Sequence, residues 1–262
     1  MKLSVNNFAA FAGKEIMESI RSKRLFVLVC VYMVLAILGV LMARFMGEIL
    51  AALMSADGGA QFVIEVPPPV WADSYAQVYS GFIDMGMFAL IMLHMGIILR
   101  EKRTGTIDLM LAKGLTPTVF VLAKYVVAGI IVLLSLFASI LMAYGYTFVL
   151  FEYAGSIGDV LFGAVSFGVF LLMMLAITFL WSAVAGSTAI AAVLGIASYF
   201  ALMFIDFIPV VNRFSPSGIF GYSVALSAGG GQERLLILVI VAMSIAAICL
   251  FLTVHVLKRR EG

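Results

Sequence analysis

Charge is what this chain has least of. Of its 262 residues, 11% are Asp, Glu, Lys or Arg and 64% are hydrophobic, where a soluble domain is about a quarter charged and about half apolar. That shortage excludes a disordered segment, a coiled coil, a basic nucleic-acid binder and nearly every soluble enzyme fold. A core of this size could not hide so much apolar surface from water. Cysteine is nearly missing too: Cys30 and Cys249 both lie inside apolar runs, so no disulfide scaffold is signalled. There is no separable soluble domain. No signal-peptide pattern precedes the first apolar run, which begins near Leu25 without a small-x-small site after it. The phosphate-cradling G-x-x-x-x-G-K-[ST] loop is also missing.

What the chain does have is long apolar runs, and a mean hydropathy of +1.18 calls for a bilayer as solvent. A spanning helix needs about 20 mostly apolar residues. The runs predict spans at 25–42, 79–99 and 125–150. An uncharged stretch at 160–205 follows, about 69 Å long as one helix, more than twice the roughly 30 Å hydrocarbon core. It must fold back, and Ala185-Gly186-Ser187-Thr188 is the natural break. That gives spans at 160–183 and 188–207, and a last one at 235–257. The predicted fold class is therefore an all-α integral membrane protein of one membrane domain with six transmembrane helices.

Six spans place both termini on one side, and the basic residues say which. With the termini cytoplasmic, all 16 Lys and Arg lie inside except Arg44, Arg213 and Arg234, as the positive-inside rule requires. Glu48, Asp57, Glu65, Asp73, Glu152, Asp159 and Glu233 fall on the outer side. The predicted location is the prokaryotic plasma membrane, multi-pass.

Four segments lie outside the spans. Residues 7–22 read as an amphipathic helix. Ala12, Ile16 and Ile20 share one face, and Lys14, Glu18 and Arg21 the other, with Phe8 and Phe11 near the start; such a helix either lies in the interface or is a short solvated lead-in. The outer loop 43–78 contains Pro67-Pro68-Pro69, followed by Trp71, Tyr75 and Tyr79, which read as interfacial anchors. The uncharged segment 216–228, between Ser215-Pro216-Ser217-Gly218 and Gly229-Gly230-Gly231, is too short to cross and reads as an interfacial or re-entrant helix near the outer face.

The densest charge cluster runs from Arg100 to Lys113, between spans two and three. Ile107, Met110 and Leu111 fall on one helical face, Gly114 breaks the helix, and Thr116-Pro117 caps the next, with Lys124 one short helix later. An apolar edge and dense charge held beneath a membrane bundle read as a docking surface, against the plainer reading of topology-setting charge.

The candidate pathway or gate residues are few. Asp84 and Asp206 sit near the outer ends of spans two and five, where a solvated helix end explains them equally well. His94 lies deep among Met85, Met87, Met92 and Met95, but those methionines do not share a face, and packing explains them better than a metal path. His94 and Asp84 are about 15 Å apart along one helix, too far to form a hydrolase pair directly. Ser182, Ser187 and Thr188 lie near the inner boundary with no evident base. Ala183, Ser187, Ala191 and Gly195, and Ala164 and Gly168, give small-residue faces fit for close helix packing within or between subunits.

Three motifs carry a family resemblance. They are Lys14-Glu15-Ile16-Met17-Glu18-Ser19-Ile20-Arg21 ahead of span one, Glu101-Lys102-Arg103-Thr104-Gly105-Thr106-Ile107-Asp108-Leu109-Met110-Leu111 after span two, and Leu115-Thr116-Pro117-Thr118 leading to Ala123-Lys124. Together they resemble the ABC-2 type permeases, membrane subunits of a class of ABC exporter. The resemblance implies an elbow helix at 7–22 carrying Lys14, Glu18 and Arg21. It implies a coupling helix at 104–113 that docks an ATPase through Glu101, Gly105, Thr106, Asp108, Met110, Leu111 and Lys113. It also implies a broken outer helix before span six. The expected partners are a cytoplasmic ABC ATPase in two copies, a second permease (homodimer or heterodimer) and membrane lipid. ATP and Mg would bind the partner and no cofactor this chain. A secondary transporter or a non-transporting assembly or immunity protein is the rival reading.

Overall fold

The structure, a computed structural model, describes residues 2–56, 68–112, 114–205, 208, 214–231 and 234–259. The regular elements among those residues are all helices. Helix α1 spans Lys2–Arg21 and α2 Arg24–Ala56. Helix α3 (Trp71–Gly81) continues through a π-helical turn, Phe82–Gly86, into α4 (Met87–His94). Two short helices, α5 (Leu99–Arg103) and α6 (Thr106–Ala112), precede α7 (Pro117–Phe151), α8 (Ile157–Val184) and α9 (Thr188–Ile205). A short outer helix, α10 (Gly218–Ser227), leads to α11 (Leu235–Lys258). Six of these helical stretches are long and apolar enough to cross a membrane: Arg24–Ile49, Trp71–Arg103, Pro117–Phe151, Ile157–Val184, Thr188–Ile205 and Leu235–Lys258.

Helix α8 is the hub, packed against α4, α7, α9, α10 and α11, and Phe167, Phe170, Met173, Met174 and Phe179 on it are fully buried. The outer helices of the bundle, α2, α9 and α11, leave broad apolar faces uncovered, including Val34, Val193, Phe204 and Phe251. A bilayer can cover such faces and water cannot.

The break in the long apolar run falls where expected. Helix α8 ends at Val184 and α9 begins at Thr188, with the Ser187 hydroxyl accepting from the Ile190 amide as an N-cap. The turn has no charge of its own and borrows two. Lys102 Nζ donates to the Ala183 carbonyl at 2.9 Å and an Arg103 nitrogen donates to the Gly186 carbonyl at 2.6 Å. The small-residue faces pack inside the subunit: Ala183, Ala191 and Ala164 are fully buried, a Cβ at Gly195 would meet Ile91, and one at Gly168 would meet Leu133.

Three boundaries differ from the hydropathy reading. The first span continues as helix to Ala56, well into the expected outer loop. Residues 57–67, with Asp57-Gly58-Gly59 and Pro67, lie outside the described residues. The second span begins at Trp71 rather than 79, starting where the proline run ends; Val70 N donates to Asp73 Oδ2 at 2.9 Å. The polar residues Asp73, Ser74 and Gln77 mask this start in a hydropathy profile. Tyr75 and Tyr79 are accordingly not interfacial anchors. Both are fully buried, with Tyr75 donating to the Ala154 carbonyl at 2.7 Å and Tyr79 bonded to Ser227 at 3.2 Å. The third span begins at Pro117, so Lys124 stands inside it rather than after a separate short helix. Thr116 caps it as the sequence predicts, accepting from Val119 N.

Candidate functional site

The second span is interrupted at residues 95–98, and the amides freed there find a partner on α8: Ile98 N and Leu99 N both donate to Ser182 Oγ. This serine is therefore a backbone ligand. The interruption re-aims α5 so that Glu101 turns inward, and there it meets Lys124. Lys124 is only 2% exposed. Its Nζ donates to Glu101 Oε1 at 2.9 Å and to Glu15 Oε2 at 2.7 Å, and it lies 5.8 Å from the Phe11 ring centre and 5.4 Å from that of Phe120. One ammonium thus ties α1, α5 and α7 together.

Lys14 closes the cluster from the surface, its Nζ 3.6 Å from Glu15 and Glu101 and 3.5 Å from Glu18. Partial burial pulls its pKa down, but the charges of Glu101, Glu15 and Glu18 outweigh this and raise it above the ordinary lysine value. Oxygens of Glu15, Glu18 and Glu101 come within 4.8 Å of one another, so these three could hold a cation. Glu15 Oε2 and Glu101 Oε1 are already taken by Lys124. Burying three charges is expensive, and removing one partner of such a set costs on the order of 3–5 kcal/mol.

Helix α1 has a third face besides the apolar and charged ones read from the sequence. Phe11, Glu15 and Ser19 face the bundle, while Ile16, Met17 and Ile20 are exposed. Glu18 is half-buried, and Arg21 lies in the exposed last turn.

Beyond Glu101 the chain turns at Gly105, where φ is +69°, and turns again at Gly114, where φ is +87°. Space is open around both glycines, so the need is conformational: an L side chain in the left-handed region costs about 1–2 kcal/mol. Between them, α6 packs Ile107, Met110 and Leu111 onto the bundle. Ile107 is buried in the chain's own core, and Met110 and Leu111 stay half-exposed beside it. Glu101 is likewise engaged internally. The face that α6 turns outward carries Asp108, Ala112 and Leu109, the last 66% exposed. Thr106 bonds through its hydroxyl to Thr104 at 2.7 Å, and Lys113 lies outside the described residues. A cleft of about 570 Å³ opens beside α6, lined by Lys102, Ile107, Asp108, Leu111, Leu115 and Leu257.

The other sequence candidates do not join this cluster. His94 is buried, and its Nδ1 lies 2.8 Å from the Leu90 carbonyl of its own helix, a satisfied core position. Neighbouring Met85 and Met92 are exposed while Met87 is buried, so they form no path with it. Asp84 stands in the π-helical turn, exposed, and Asp206 lies outside the described residues. At the outer end, α10 is seated on α8 so closely that a Cβ on Gly163 would clash with Ser227 Oγ.

Six helices long and apolar enough to cross a membrane, one of them the buried hub α8, with a charge cluster tying α1, α5 and α7 at one end, define a multi-pass membrane protein. The family described as ABC-2 family transporter protein matches residues 9–216. The chain belongs to that family, whose membrane subunits are non-catalytic and work with a nucleotide-binding ATPase subunit, as multi-pass proteins of the plasma membrane. No curated protein compared with the chain matches it.

Proposed function

We propose that this chain is the permease of an ATP-driven exporter, coupled to its ATPase through α6. In this reading α1 is the elbow helix, its exposed Ile16, Met17 and Ile20 lying in the inner interface. The ATPase, in two copies, binds ATP and Mg; two permeases pair in the membrane. Closure of the ATPases pushes on α6, and the push passes through Ile107 into the bundle and through Glu101 and Lys124 to α1 and α7. The bundle then rocks between inward and outward states. Helix α10, pinned by Tyr79 and Gly163, closes the outer end.

The observation that carries this is the two-faced build of α6: Ile107 is buried in the core with Met110 and Leu111 packed beside it, while Leu109 and Asp108 are left outward. Co-purification in nanodiscs with candidate ABC ATPase subunits tests the reading. Wild type should form a complex with two copies of each subunit whose ATP turnover responds to the permease. Leu109→Arg should weaken that complex at least tenfold while leaving the permease monodisperse. A monodisperse permease that binds no ATPase would move the weight to a secondary transporter or a non-transporting partner.

A further inference from the structure

Asp84 has a depth that the sequence misplaces. A Cβ on Gly39 of α2 would touch the backbone of Val78, and the Tyr32 hydroxyl donates to the Gly86 carbonyl at 3.3 Å. These contacts fix the antiparallel register of spans one and two and set Asp84 level with about residue 34. Arg24 and Arg44 bound the uncharged stretch of span one, about 30 Å apart along the helix, which matches the hydrocarbon thickness. Asp84 therefore lies about midway, roughly 15 Å from either arginine's level, rather than at an outer helix end.

At that depth it is uncovered. Asp84 and Met85 are both exposed, Met85 by 65%. Among the described residues no lysine or arginine pairs with Asp84; the ion pairs all belong to the Lys14–Lys124 cluster. Span five, which packs beside it, has no charged residue from Thr188 to Ile205. The backbone that presents the carboxylate is a built feature. A π-turn breaks the regular ladder, and two tyrosines from different spans serve its carbonyls: Tyr32 at Gly86 and Tyr199 at Ile83, the latter at 2.9 Å. An aromatic wall of Phe88, Tyr199 and Phe200 stands next to it. A carboxylate at mid-membrane is costly against lipid and finds its place facing water, protein or an opposite charge.

We propose that Asp84 is a water-accessible recognition point for a positively charged group, the cationic part of the transported substrate, on the translocation face of the permease. This rests on reading the chain as a transport subunit, but its test needs no ATPase, so the two can fail separately. The carboxylate supplies the charge, the π-turn projects it from the helix, and the aromatic wall suits an organic cation.

The test uses the full chain in nanodiscs with Cys30 and Cys249 replaced by Ala and a reporter Met85→Cys. Labelling rates are compared for two water-soluble methanethiosulfonates, one bearing trimethylammonium and one sulfonate. Both should react, and the cationic reagent should be favoured, with the preference falling about tenfold when Asp84→Asn is added. Met92→Cys, two turns further in, gives a second reporter if the first fails to fold, and its preference should fall less. No labelling by either reagent, meaning a face sealed by lipid or by a dry contact with a second copy, would overturn the proposal. So would a preference that Asp84→Asn leaves unchanged.

Discussion

Two carboxylates on the same helical stack are treated in opposite ways. Glu101, at the cytoplasmic end of span two, is buried against a lysine and locked to two other helices. Asp84, near the middle of the span, is left open without a counter-charge among the described residues. Position in the membrane alone would suggest the reverse, since charge is cheapest near the interface and dearest at mid-depth. The difference teaches that the cytoplasmic charges are structural, spent on holding α1, α5 and α7 together, whereas the mid-membrane charge is not needed for the fold. Loss of stability should therefore follow from changes at the first site and not at the second.

The sharpest way to break the comparison is Lys124→Met. It leaves Glu15 and Glu101 buried without their cation and should cost on the order of 3–5 kcal/mol, read as a collapse of thermal stability in detergent. Asp84→Asn should leave that stability unchanged or slightly raised; equal losses from the two variants would end the distinction. Adding Glu101→Gln to Lys124→Met should cost less than the sum of the single changes, because the two share one bond.

Gly105→Ala comes next, at about 1–2 kcal/mol. Its effect should be local, seen as faster hydrogen exchange in α6 with spans three and four unaffected. Tyr79→Phe, which strands Ser227 at the outer end, should cost about 1 kcal/mol. The smallest effect belongs to Lys14→Ala, under about 1 kcal/mol because the side chain is 44% exposed and screened by solvent. The sign of its pH dependence follows from the raised pKa. The contribution is fully present below the ordinary lysine value of 10.5 and is lost as pH rises above it through the folded value. A pH titration of melting in wild type against Lys14→Ala would show the two curves converging only in that alkaline range.

Much of the fold was legible because apolar length is a coarse, robust signal. The span number and the turn at 185–187 both follow from it. The start of span two was not legible, because Asp73, Ser74 and Gln77 lower the hydropathy of a segment whose tyrosines are buried. That error carried Asp84 to the wrong depth. The charge cluster was missed because its members lie 109 and 23 positions apart. A signal for it does exist: Lys124 follows Phe120 at the head of an uncharged stretch running to Leu150, where a lysine needs a partner. Glu15 sits between Phe11 and Ser19 on one helical stripe. The inward turn of Ile107 was hidden for a different reason. An apolar helix face says that something covers it, not whether that is a partner or the chain's own core.

The most direct test of the central claim is site-specific photo-cross-linking in native membranes, with a photoreactive amino acid in place of Leu109 and, as control, in place of Phe251 on the exposed apolar face of α11. The account predicts a cross-link from position 109 to the ATPase subunit that changes in yield on adding ATP, and lipid adducts alone from position 251. An ATPase that co-purifies with the chain yet is never captured from position 109 would contradict α6 as the point of coupling.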